Sequence, residues 1–445
     1  MAKYIKTEQG YIDMPSFAPA PFKPAGKSYL TFSSLSSFTL KVNDSTKHWN
    51  GILEYFSSDK TWAVWDGTTT LSSVDNDGEY VMYLRGTGNT VITGFNSDYR
   101  WVLTGSDIKC IGNIENLLDY ATVVSGKHPT MANSCYNGMF YNCTSLTQAP
   151  ELPATTLASN CYEYMFYGCT SLTQAPALPA TTLASRCYYG MFSGCSSLTQ
   201  APALPATTLA IHCYSSMFFS CTSLIQAPVL PATTLANNCY YYMFYGCTSL
   251  TQAPTLPATT LENYCYNGMF KGCSSLTQAP ALPATTMASY CYNGMFYNCT
   301  SLTQAPALPA TTLASNCYEY MFYGCTSLTQ APTLPATMLE NYCYNAMFNR
   351  CTSLKLSSTQ TGEYTQEYRI PSSGNGVTAT YALIDMFAST GGTFAGTPSI
   401  NTTYYLSSGN MIVRETEVAT LKNYVESMIA AKAAVAYPSA EDSTF

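Results

Sequence analysis

The chain has 445 residues, 47% of them hydrophobic, which is enough to bury a sizeable core. Only 10% are charged, against roughly 25% in ordinary soluble domains, the net charge is −7, and no block of Lys or Arg occurs, so nucleic-acid binding by phosphate neutralisation is disfavoured. No run of about 18 apolar residues is present, which argues against a spanning helix, and the start MAKYIKTEQGYIDMPSF carries no apolar signal-peptide core.

Residues 1–26 read as an N-terminal arm and Pro-rich linker, with Pro15, Pro19, Pro21 and Pro24 crowded before Gly26. Residues 27–105 alternate aromatic and β-branched runs (SYLTFSS, FTLKV, GILEYF, TWAVW, EYVMYLRG) with Asp66-Gly67 and Asp77-Gly78 turns, a pattern that predicts a small β-sandwich. Residues 106–134 contain IENLLDYATV, of helical character, expected to form an atypical first turn that closes the near end of a repeat array.

From 135 to 354 the chain repeats every 26 residues, with Cys143, Cys169, Cys195 and their successors to Cys351 marking the beat. A fixed period of this length predicts stacked turns, each touching its neighbours. Within a copy, L-T-Q-A-P-x-L-P is an extended edge, held to a very short strand because a proline such as Pro176 cannot donate to a ladder. The stretch C-Y-x-x-M-F-x-x-C is expected to return as a helix, with Cys161, Met165, Phe166 and Cys169 on one face above Leu172, Leu178 and Leu183.

Eighteen of the 19 cysteines form i, i+8 pairs. On a helix that spacing rises about 12 Å, beyond the roughly 7 Å limit for a bridge within a copy. Distance leaves bridges between stacked copies open. Free, buried thiols acting as small apolar residues are the expectation, and the spacing matches no compact zinc pair.

Residues 355–410 read as an inserted hairpin and a worn capping repeat, in which Met386-Phe387 persists while Ala382 and Thr390 replace the cysteines. Residues 411–445 hold a C-terminal helix and tail. Val418, Leu421, Val425, Met428 and Val435 follow a 3-4 spacing interrupted by Lys432, and Pro438 stops the helix. It either packs on the end of the stack or forms a short coiled coil that joins protomers, as a trimer. The expected fold class is thus an α/β solenoid of leucine-rich-repeat-like turns, preceded by a small all-β sandwich and followed by a helix.

No catalytic, cofactor or metal residue is assigned. His48, His128 and His212 lie in three regions with no motif around them, and a near-uniform repeat places no unique set of reactive groups. Asp75-Asn76-Asp77-Gly78-Glu79 lacks the twelfth-position Glu of a calcium loop and reads as a turn. Gln148, Gln174 and their successors to Gln330 recur in phase and should stack, either as amides bonding between turns or as a sugar-binding strip. Variation concentrates before the first cysteine of the turn stretch, after Cys-Tyr and after Met-Phe. The candidate binding surface there is Tyr162, Tyr164, Tyr188, Tyr189, Tyr241, Tyr242, Tyr266, Tyr318 and Tyr320, because tyrosine among Ser, Gly and Asn makes adaptable contacts. The alternative is drift on a solvated face.

The repeat C-x-x-L…L-P…C-x-x-x-M-F-x-x-C, over roughly residues 110–398, resembles the BspA-like leucine-rich repeats with an A-F-x-x-C-x-x-L core. It has Met-Phe for Ala-Phe, a second cysteine, and 26 rather than about 23 residues per turn. The whole pattern is similar to proteins encoded by gut Bacteroidales and their phages. The resemblance implies surface recognition without enzyme activity, on a virion (tail fibre, head fibre or decoration) or on a bacterial surface as an adhesin. Its implied partners are other virion proteins or a host surface protein or glycan. The expected location is the virion or extracellular surface, reached without a signal peptide.

Overall fold

The computed structural model describes residues 4–7, 10–13, 22–26, 29–94, 100–374 and 381–407. The helix expected at 414–437, with Val418, Leu421, Val425, Met428 and Val435, lies outside the described residues. At the N-terminus β1 (Tyr4–Thr7) and β2 (Gly10–Asp13) pair antiparallel.

The described residues between 29 and 111 carry nine strands: β3 (Leu30–Ser34), β4 (Thr39–Val42), β5 (Ile52–Phe56), β6 (Trp62–Val64), β7 (Leu71–Ser72), β8 (Val74–Asn76), β9 (Glu79–Thr87), β10 (Trp101–Thr104) and β11 (Ile108–Ile111). One sheet has the order β10-β4-β7; the other runs β11-β3-β9-β5-β6, with β8 also on β9. Residues of both sheets share one core, in which the rings of Trp49, Trp65 and Trp101 meet in sequence at 5.1 and 5.4 Å. Helix α1 (Asn116–Val124) packs on β9, and Gly86 makes that approach possible, since any Cβ there would overlap the Leu117 carbonyl.

The second sheet does not stop at β11. Strand β12 (Leu146–Gln148), which belongs to the first repeat copy, adds to it in parallel. Around this seam the N-terminal unit satisfies the first copy's backbone: Ile92 N–H donates to Cys135 O, Trp101 N–H to Met139 O and Ile108 N–H to Ser145 O. The Cys143 thiol in turn donates to Trp101 O at 3.2 Å. A stack of repeats has unpaired groups at its ends; here a folded unit, fused through a shared sheet, covers the first one.

The copies then stack in register. Gln174 bridges Gln200 in parallel, Gln200 bridges Gln226, and the row continues to Gln330 one residue wide, as the following proline requires. Every glutamine of this row except Gln330 is exposed, so backbone bridges make the row and its amide groups face solvent.

The C-Y-x-x-M-F-x-x-C stretch corrects the expected helix. It is a run of tandem turns, and no residue from 135 to 354 is α-helical. Every fourth residue has a left-handed backbone, for example Asn160 (φ 58), Tyr164 (φ 54) and Gly168 (φ 69), which interrupts helical bonding. The amides alternate instead: Met165 N–H donates to Tyr162 O within the copy, while Tyr164 and Phe166 N–H donate to Tyr189 O and Met191 O of the next copy, at 2.8 and 2.9 Å. Half of the amides in this stretch therefore join copies to one another.

Identical side chains meet in interior columns. Phe166 stacks on Phe192 at 5.6 Å and Tyr162 on Tyr188 at 5.8 Å, and both columns continue copy by copy. All 19 cysteines are free and buried. In the column from Cys169 to Cys351 each thiol donates to the Phe carbonyl of the preceding copy, as Cys195 does to Phe166 O at 3.1 Å. These thiols are thus donors as well as small apolar fillers.

At the far end Phe387 stacks on Phe348 at 5.5 Å, and Tyr344 N–H donates to Ala382 O where earlier copies present a cysteine carbonyl. The intervening segment is not a local hairpin. Strands β14 (Lys355–Ser357) and β15 (Tyr364–Arg369) both pair with β18 (Thr403–Ser407), giving the order β15-β18-β14-β17 with β17 at Gly391–Gly392. The remaining short pair is β13 (Met338–Leu339) with β16 (Ser373–Gly374).

Candidate functional site

The slots that vary between copies each end at a left-handed position of the tandem turns. They form one face, while the invariant Cys, Tyr, Met and Phe turn inward. This divides the expected tyrosine surface. Tyr162, Tyr188, Tyr266 and Tyr318 are 1% exposed. They belong to the buried column because the residue after cysteine always points into the stack. Tyr164, Tyr189, Tyr241 and Tyr242 are half-buried and Tyr320 is exposed, so these five do lie on the face.

The middle left-handed position sets the relief of this face. Tyrosine occupies it at every third copy, as Tyr164, Tyr242 and Tyr320, while Gly190, Ser216, Gly268, Gly294 and Ala346 fill the copies between and after. The Tyr164 and Tyr242 rings reach over the following copy, where the residue must be small. A Cβ on Gly190 would stand 2.6 Å from Tyr164 Cε1, and one on Gly268 would overlap the Tyr242 ring.

Between Tyr164 and Tyr242 the two intervening copies are filled. Tyr189 meets the Tyr164 ring edge-on at 5.2 Å, Arg186 lies over Tyr189 at 4.5 Å, and His212 closes behind at 6.1 Å. Between Tyr242 and Tyr320 the register positions of Arg186 and His212 hold Tyr264 and Tyr290, which stack at 4.5 Å, but Asn267 stands where Tyr189 does and Gly294 where Ser216 does. Gly268 and Gly294 leave a cleft of about 310 Å³, floored by Asn267 and Asn293 and walled by Lys271, Tyr297 and Tyr323. Tyr297 and Tyr323 stack at 4.5 Å, and the Lys271 ammonium sits 4.3 Å from the Tyr297 ring centre. None of the non-tyrosine residues here was assigned to the binding surface from sequence. The signal available was the three-copy spacing of tyrosine with two adjacent glycines in register.

Two carboxylates recur in this face six copies apart. Glu163 accepts from Asn137 Nδ2 at 3.0 Å and from Arg186 Nε at 3.2 Å. Glu319 accepts from Asn293 at 2.8 Å and Asn316 at 2.6 Å, and the register position of Arg186 holds Tyr342. Burial raises the Glu319 carboxyl above its ordinary range, and the two amide bonds only partly offset it.

Groups with nucleophilic potential are placed for structure. Burial pushes the thiols of Cys187, Cys239, Cys247 and Cys343 up to about 12, so thiolate is scarce near neutral pH. His212 Nδ1 lies 3.1 Å from Ser215 Oγ, yet Ser215 is fully buried and donates its proton to Asn238 O. His48 pairs with Asp44, and His128 with Glu115. Among the described residues no three His, Cys, Asp or Glu are grouped to hold a metal, and no helix is long and apolar enough to cross a membrane.

A family model described as the BspA type leucine-rich repeat region matches in six copies, over residues 122–251, 187–329 and 270–368, together more than half of the chain. No curated protein matches the sequence.

Proposed function

The chain belongs to the BspA type leucine-rich repeat family, and from that premise we propose that it is a non-enzymatic recognition protein whose turn face contacts a macromolecular partner. The carrying observation is the division of labour within each copy. Interior columns are invariant, while variation and exposed aromatic rings gather on one face that includes a cleft. Tyrosine with Asn, Ser and Gly gives such a face large, rigid contact area beside adaptable hydrogen bonding. The buried thiols and locally paired histidines support a role without catalysis.

On this reading the protein is carried on a phage virion, as a tail fibre, head fibre or decoration component, where the stack projects outward and residues 411–445 join protomers into a trimer. The family supports a bacterial surface adhesin equally, and both carriers would use the same face against a host protein or glycan. Mass spectrometry of purified virions and of proteins shed from intact bacteria by protease separates the two. Recognition itself is tested by retention of the full chain on immobilised host glycoproteins, beside a variant carrying Tyr242→Ser and Tyr320→Ser. Weaker retention of the variant is expected; equal retention overturns the assignment of the face.

A further inference from the structure

The cleft between Tyr242 and Tyr320 is floored by an amide that opens onto it and has no protein partner among the described residues. Asn267 is 5% exposed and lines the cleft, and among the described residues its side chain forms no hydrogen bond. Its register partners are engaged: Asn137 donates to Glu163 and Asn293 to Glu319, each using a carboxylate of the following copy. The copy after Asn267 offers Asn293 instead, whose amide is turned to Glu319. The Asn267 amide is left to whatever enters the cleft, water or a ligand group.

Lys271 stands on the same wall. Among the described residues it meets no carboxylate, and its ammonium rests against the Tyr297 ring. Glu319, the acid that backs the cleft, is committed to Asn293 and Asn316. The cleft thus offers aromatic rings at two ends and one side, an amide that can donate and accept together, and one cation. Its volume of about 310 Å³ is at the small end for ligand sites. A peptide laid along the face would need free backbone groups, but the turn amides around Asn267 and Asn293 are spent between and within copies.

We propose that this cleft binds an acidic sugar residue at the end of a surface glycan. Asn267 bridges neighbouring hydroxyls, Lys271 holds the carboxylate, and Tyr242 and Tyr320 pack against the apolar face of the ring. The assignment rests on the recognition reading above and names its ligand class.

The test is titration of the full chain with oligosaccharides ending in a uronic or sialic acid and with their carboxyl-reduced forms. Saturable binding that weakens roughly tenfold or more on reduction is expected. Lys271→Gln should erase the difference between the two ligands. Asn267→Tyr should abolish binding without moving the unfolding midpoint, since Tyr189 and Tyr241 already occupy that register position. Gly294→Ser, which copies Ser216 with its φ of 53, is a second blocking variant. Binding that ignores both the carboxyl and Asn267→Tyr overturns the proposal, as does preference for an acidic peptide. Absence of saccharide binding while the chain still holds host glycoproteins overturns the sugar assignment and leaves the recognition reading standing.

Discussion

The spans Tyr164–Tyr242 and Tyr242–Tyr320 are equal in length, share the same interior columns and are bounded by the same ring at the same backbone angle. In one, Tyr189 fills the face with Arg186 and His212 packed against it; in the other Tyr264 and Tyr290 take the places of Arg186 and His212, but Asn267 replaces Tyr189 and the face is open above Gly268 and Gly294. The difference lies entirely in side chains that the core does not use. A stack whose copies are joined by backbone bonds and buried columns can therefore change what its face presents, residue by residue, without rebuilding its support.

The strongest way to break the comparison is to remove what both spans share. Phe244 lies in the copy where they meet, stacked between Phe218 and Phe270 at 5.6 and 5.7 Å. Phe244→Ala should cost about 3–5 kcal/mol, read by denaturant unfolding, and disturb both spans. A loss under about 1 kcal/mol, small beside that range, would mean that the columns are not the support.

A narrower break tests the ring-over-glycine rule. Gly268→Ala and Gly294→Ala each force alanine into a left-handed backbone, a cost of about 1–2 kcal/mol. Only at Gly268 does the new Cβ also overlap the Tyr242 ring; at Gly294 its nearest neighbour is Tyr297 Cβ at 3.9 Å. Gly268→Ala should be the more destabilising and should shift Tyr242 resonances in NMR spectra. Equal effects would remove the rule.

The smallest expected effect sharpens the contrast between the two carboxylates. Because the folded Glu319 carboxyl is raised, its proton is favoured in the fold. Stability from this group is full below the ordinary value of 4.5 and is lost as pH rises through the raised folded value. The stability difference between the parent chain and Glu319→Gln, measured from pH 4 to 7, should follow that direction. Tyr342→Arg supplies the guanidinium that Arg186 gives Glu163, at a position with the same left-handed backbone, φ 54 against φ 56. It should flatten the dependence; an unchanged profile would show that the missing cation is not its cause.

The stack was legible because cysteine spacing gave both the period and the thiol burial. The path between Cys161 and Cys169 was not. A spacing of i, i+4, i+5 and i+8 suits one helix face, and it equally suits turns that reset every four residues. The distinguishing sign was Asn160, Tyr164 and Gly168 at every fourth position, where Gly and Asn in other copies favour a left-handed backbone. Tyr162, Tyr188, Tyr266 and Tyr318 were misplaced onto the surface although tyrosine never changes at that position, the mark of an interior column. Asn267 and Lys271 stayed hidden because a cleft spanning two copies becomes visible only when the copies are laid side by side.

The stretch LASNCYEYMFYGCTSLTQAP stands at 157–176 and again at 313–332. An exchange between the two would delete 156 residues, six whole periods, and bring Tyr164 over Ala346, which is small enough to lie beneath it. Both end units and every interior column would survive, while Asn267, Lys271 and the hollow around them would vanish. A single recombination event would thus yield a shorter sibling with a different appetite, so in this chain reach and ligand choice are inherited together.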